Sequence, residues 1–196
     1  MTAYTSPPAG ATTSGVDERG PVIPRTFPPA PGWSPTGHRL HAPLEYRRGP
    51  EKVWVYGALR VCDGQAITLT TRSRNTAGYR HLLEAIAAAN PTGDLYLISD
   101  TLSSHKRPPI QAWLTETPRV RHVFIPVGAC WLNLQAAWWR IFRRAAFAGQ
   151  TFAGGEEIDR ATEVATQQLN ARAKPWVWGR PPPPPRVLRH SYVYRL

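Results

Sequence analysis

A chain of 196 residues with 42% hydrophobic content and eight Trp can bury a real core, which excludes a wholly disordered chain and makes one domain the expectation. Its 24 Lys and Arg against 13 Asp and Glu leave a formal charge of +11, which points to a polyanionic partner, nucleic acid first, with a basic but inert surface as the competing reading. Two cysteines, the lack of a basic-then-apolar leader and the lack of any apolar run of membrane-spanning length set aside a disulfide framework and a membrane span, and favour a reducing cytoplasmic setting.

Residues 1–15 are rich in Thr, Pro, Ser, Ala and Gly and read as an irregular lead. An acid pair, Asp17-Glu18, follows. A strand ending there would span residues 11–16, of which only Ala11 and Val16 are plainly apolar, so it is poor core material. Six prolines from Pro24 to Pro43 forbid regular ladders over residues 25–48 and predict a loop. Residues 53–61 (Val-Trp-Val-Tyr-Gly-Ala-Leu-Arg-Val) and 66–71 are strands joined by a turn carrying Asp63-Gly64, an antiparallel hairpin. A helix over 76–90 places Tyr79, Leu82, Leu83 and Ile86 on one stripe and closes at Asn90-Pro91.

The apolar run Leu95-Tyr96-Leu97-Ile98 is a buried central strand that ends on Asp100, and the C-terminal end of a strand is where open α/β sheets place their chemistry. His105 stands five residues on. A short helix from Pro108 to about Pro118 and a strand over 120–126 follow, and strand, helix, strand predicts a right-handed crossover with parallel neighbours. Trp131-Leu132-Asn133 opens a helix to about Ala148, with Leu134, Trp138, Ile141, Phe142 and Ala145 as its expected apolar stripe and Arg140, Arg143 and Arg144 as cations for the helix dipole and for phosphates. Residues 156–170 form a last helix, and Pro181 to Pro185 read as polyproline II, a stiff linker more than a ligand. Cys130 reads as a small core residue; Trp176 and Trp178, near Lys174 and Arg180, carry nucleobase stacking as a minor alternative to packing. The order of elements, with acids at strand ends, predicts an α/β, ribonuclease-H-like mixed sheet with helices on both faces.

The stretch from Asp17 to Tyr194 resembles a DDE-type transposase catalytic domain of the bacterial insertion-sequence class related to the Tc1/mariner elements. The resemblance is carried by Asp17-Glu18, by Asp100-Thr-Leu-Ser-Ser-His105-Lys106, by Pro118-Arg-Val-Arg-His-Val-Phe124, by Trp131-Leu132-Asn133, and by the closing Asn170-Ala-Arg-Ala-Lys-Pro-Trp-Val-Trp178. It implies a lead over 1–15, a catalytic domain over 16–178 and a proline-rich tail over 179–196. It also implies three carboxylates holding two divalent ions, Mg²⁺ or Mn²⁺, for cleavage and strand transfer at a DNA phosphodiester.

Carried over, Asp17 is the first acid and Asp100 the second, both metal ligands, with His105 and Asn133 supporting them and Lys106, Arg140, Arg143 and Arg144 meeting nucleic acid. A plain turn acid at position 17 and a structural role for His105 remain the competing readings. The third acid belongs three residues after Asn133, where this chain has Ala136, so metal binding and catalysis are expected to be weakened or lost. Thr101 stands where the family commonly has Asn, and a helix-turn-helix module that would read DNA ends is missing from the chain. Duplex DNA is the expected partner, with a second copy of the chain as an option and no membrane; a basic nucleic-acid-binding module without catalysis is the alternative.

Overall fold

The computed structural model describes residues 2–24 and 51–176. A helical turn, α1 (Thr2–Thr5), precedes β1 (Thr12–Val22), β2 (Val53–Arg60), β3 (Ala66–Thr71), α2 (Thr76–Ala89), β4 (Leu95–Ser99), α3 (Pro108–Glu116), β5 (Val120–Phe124), α4 (Leu134–Ala146) and α5 (Gly155–Asn170). The loop expected over 25–48, the polyproline run and Trp178 lie outside the described residues.

The strands form one sheet in the order β3-β2-β1-β4-β5. β1, β2 and β3 pair antiparallel in turn, and β4 pairs parallel with β1 on one side and with β5 on the other. The hairpin, the interior position of β4 and the parallel β4–α3–β5 crossover agree with the sequence. Because β1 alternates its side chains, it supplies both faces of the sheet. Val16 packs under α2 and α3 with Tyr56, Tyr79, Leu83, Leu97 and Ile110, while the opposite face meets α4 and α5 through Leu59, Ile98, Trp138, Phe142 and Ala165. Helices on both faces of a mixed sheet are the predicted ribonuclease-H-like arrangement.

Four expectations are corrected. The lead is not irregular throughout: Thr2–Thr5 is helical and the last residues before Val16 are strand. The strand that looked poorest is the central one. Thr13 and Ser14 are buried there because the backbone is paired on both sides and the hydroxyls find partners, Thr13 Oγ1 donating to Ala3 O at 2.8 Å. Gly15 is small enough for the start of α4 to sit on it, since a Cβ there would lie 3.0 Å from both Asn133 Oδ1 and Gln135 N. On α4 the buried side chains are Leu134, Gln135, Trp138, Trp139, Phe142 and Ala146, whereas Ile141 and Ala145 are exposed, so the stripe is rotated toward position 139. Cys130 is exposed, because the turn that carries it lies outside the core.

Candidate active site

The register of β1 against β4 brings the two acids together. Thr12 faces Leu95 and Gly15 faces Ile98, an offset of 83 residues (95 − 12), and 100 − 17 is the same 83. Asp17 lies on β1 itself, paired with Gly57 of β2, and Asp100 is the first residue past β4. Extending the parallel ladder by two residues brings Asp100 next to Asp17 at the end of the sheet, close enough for the Asp100 charge to act on Asp17.

Trp139 covers Asp17, its Nε1–H donating to Asp17 Oδ2 at 3.1 Å. That approach depends on Gly57, where a Cβ would meet the indole ring and the Gln135 amide at 2.5 Å. Burial pushes the Asp17 carboxyl up to about 7, and the neighbouring Glu18 and Asp100 charges push the same way, against the pull of the Glu18 backbone N–H and the Trp139 N–H. The first acid is thus harder to ionise than an ordinary aspartate.

Asp100 is the opposite case. The His105 imidazole, 3.2 Å from Asp100 Oδ1, holds its carboxyl below the ordinary range against the effect of burial, helped by the Leu102 N–H, which donates to Oδ1 at 3.2 Å. His105 is fully buried, stacked on Tyr79 at 3.8 Å between ring centroids, and its other nitrogen is 2.6 Å from Glu18 Oε1. Burial alone would lower the His105 pKa, but the Asp100 and Glu18 carboxylates outweigh it and raise the imidazolium to about 9. Being next to Asp17 in a strand, Glu18 points to the other face, and so anchors the histidine that steadies Asp100.

Asn133 caps α4: its Oδ1 accepts from Gln135 N at 3.1 Å and its Nδ2–H donates to Val16 O at 2.8 Å. One side chain thereby starts the helix and ties it to β1 next to Asp17. Ala136, half-buried, lies in the first turn of that helix, one turn before Trp139. Arg140, Arg143 and Arg144 are exposed on α4. Arg19, two residues past Asp17, is depressed from the ordinary arginine value by burial and by the Arg143 charge, so both cations stand near the acids. Lys106 is exposed and lies over the Phe124 ring at 4.9 Å.

The donor set does not fit two divalent ions. Asp17 and Asp100 offer oxygens, Glu18 is engaged with His105, residue 136 is an alanine, and the described residues contain no group of three acid, His or Cys ligands. Trp139 and the buried Gln135 were not singled out from sequence, and Glu18 was named only as part of the Asp17-Glu18 pair, with no role of its own. A Trp on an amphipathic helix reads as core, and only the pairing of Glu18 with Asp17 in one strand hints at opposite-facing roles.

Residues 16–159 match the family model described as DDE superfamily endonuclease. The chain is 30% identical over 91 residues to the insertion element IS630 uncharacterized 39 kDa protein of Shigella sonnei, a stretch covering 46% of this chain and 26% of that protein. Its fold matches the crystal structure of the Mos1 mariner paired end complex with Mn, at a TM-score of 0.51 and 16% identity. It also matches the Mos1 transposase paired-end complex with left transposon end, at 0.50 and 14%; each match covers 83% of this chain and 53% of that one. Among the described residues no helix is long and apolar enough to cross a membrane.

Proposed function

The chain belongs to the DDE superfamily endonucleases, of the IS630 and Tc1/mariner type, and from that premise we propose that it is a transposase domain that engages duplex DNA with cleavage impaired or lost at the third acid position. The observation that carries this reading is the convergence of Asp17 and Asp100 beside a helix whose first turn has Ala136 and whose next turn presents Trp139 to Asp17. Metal-assisted phosphoryl transfer needs enough hard oxygen donors to hold the ions against their mutual repulsion. Two carboxylates alone are a small oxygen donor set for Mg²⁺ or Mn²⁺.

What the chain's own residues do is position and screen. His105 holds the Asp100 carboxylate ionised and aimed, Asn133 fixes the start of α4 on β1, and the exposed Arg140, Arg143 and Arg144 offer charge to the phosphate backbone. A second reading, a nucleic-acid-binding module without chemistry, is favoured by these cations near a partly neutral Asp17. Supercoiled plasmid incubated with Mn²⁺ separates the two. Slow nicking abolished by Asp100→Ala supports residual catalysis, no nicking with retained binding supports the binding module, and no duplex binding at low salt overturns both.

A further inference from the structure

Just beyond Asp100 the chain makes a 3-10 turn (Ser103–Lys106) that faces the N-terminus of α2 across a recess of about 470 Å³. Arg74, Thr76, Ser103, Ser104 and Arg107 are among the residues that line it, and no acidic side chain does among the described residues. The Arg74 guanidinium is held over the Trp54 ring, 4.7 Å from its centroid, a stacking that orients the cation and leaves its N–H edge free to bond. Both arginines are exposed, and neither is ion-paired with an acid among the described residues.

The floor of the recess is built of donors. In α2 the Asn75 side chain accepts from Gly78 N and the Asn75 carbonyl from Tyr79 N, so the N–H groups of Thr76 and Ala77 lie outside the helix ladder, and the first turn carries no acid. Ser104 Oγ is shielded from solvent and has no hydrogen-bond partner. Unpaired cations, the Ser103 and Thr76 side chains and helix N–H groups outside the ladder around one opening match a tetrahedral oxyanion. The recess neighbours the candidate active site: the Arg74 charge acts on the Asp100 carboxyl, and Ser103 follows Leu102, whose N–H donates to Asp100 Oδ1.

We propose that this recess holds a backbone phosphate of the DNA strand that passes Asp100, gripped by Arg74 and Arg107 and by the hydroxyls of Ser103 and Thr76. This rests on the reading that the chain engages duplex DNA. The site is distinct from the arginines of α4 and sets which stretch of strand lies over the two acids.

The test is equilibrium binding of a fluorescent random-sequence duplex across a salt series. It compares the wild-type chain, Arg74→Gln/Arg107→Gln, and the control Arg121→Gln/Arg172→Gln, which removes the same charge from β5 and from the turn after α5, outside the recess. The Arg74/Arg107 variant should bind roughly tenfold or more weakly at low salt, with its logarithmic salt slope shallower by about 1, while the control stays near wild type. All four positions are exposed, and far-UV circular dichroism verifies that each variant is folded. Equal loss in both double variants, or none in the Arg74/Arg107 variant, overturns the site while leaving DNA binding intact; a wild type that does not bind duplex overturns the functional reading itself. A parallel melting series in inorganic phosphate adds an arm. Phosphate stabilisation that depends on Arg74 and Arg107, with unchanged DNA binding, assigns the recess to a free anion and overturns the proposal.

Discussion

His105 Nε2 lies 2.6 Å from Glu18 Oε1, inside the sheet–helix interface, with the Glu18 side chain only 3% exposed. Removing the imidazole leaves that carboxylate without its cation and opens space beside the Tyr79 ring, and breaking one side of a buried pair costs about 3–5 kcal/mol. His105→Ala should therefore lower the melting temperature substantially, and adding Glu18→Gln should recover part of the loss, because a neutral amide is less costly to bury. The His105 pKa, at about 9, is above its ordinary 6.5, so the pair's contribution is complete below about pH 6.5 and is lost as pH rises through 9. Melting curves of wild type and His105→Ala should differ more at pH 6 than at pH 10; a pH-independent difference would show that the ring acts by packing alone.

Asp17 is predicted to oppose folding once ionised. Its carboxyl, raised to about 7 from 3.8, binds its proton more tightly in the folded chain, so the favourable contribution is present below about pH 4 and is lost as pH rises through 7. Asp17→Asn removes the titration while keeping an oxygen for Trp139 Nε1–H. The variant should melt near wild type at pH 4 and several degrees above it at pH 8, at about 2–4 °C for each kcal/mol in a domain of this size. Equal differences at both pH values would sink the assignment.

These two residues also mark how far the sequence could be read. β4, α3, β5 and α4 were legible because apolar periodicity with clear Pro and Asn boundaries specifies them, and the spacing of Asp17 from Asp100 foreshadowed a shared site. β1 was nearly illegible: Thr-Thr-Ser-Gly carries no apolar signal, and its central place comes from backbone ladders to β2 and β4 on either side, which sequence does not display. The functional pairings are of the same kind. Glu18 with His105, Trp139 with Asp17, and Arg74 with Arg107 are each separated by tens of residues and meet only through the sheet register and the helix placement.

Gln135 is fully buried on α4 beside Gly57, and neither its amide nitrogen nor its amide oxygen has a hydrogen-bond partner. Leaving a buried polar group unpaired costs about 1–3 kcal/mol. Gln135→Met keeps the volume and removes both polar atoms, so urea denaturation should show a gain of about that size with an unchanged m-value. A loss of stability would mean that the amide has a partner in solution, such as a bound water or ion.

The last prediction concerns Ala136. It is half-buried, one helical turn before the Trp139 that bonds Asp17, and four and seven residues before the exposed Arg140 and Arg143, so it belongs to the edge of α4 between the core stripe and the cationic surface. A glutamate there, one turn before the Trp139 that bonds Asp17, is predicted to reach the two acids and supply a third hard oxygen donor. Without metal, Ala136→Glu adds a negative charge beside a carboxyl already pushed up by burial and by Glu18 and Asp100, so it should melt below wild type at pH 8. With millimolar Mn²⁺ the order should reverse, since ion binding to the folded state stabilises it by mass action whereas wild type gains little. The metal-dependent shift should vanish when Asp100→Ala is added, and nicking of supercoiled plasmid should follow the same pattern across wild type, Ala136→Glu and the double variant. A Mn²⁺ shift as large in wild type as in Ala136→Glu would place the third ligand elsewhere in the chain. No shift in any variant would mean that Asp17, buried and bonded to Trp139, does not serve as a ligand.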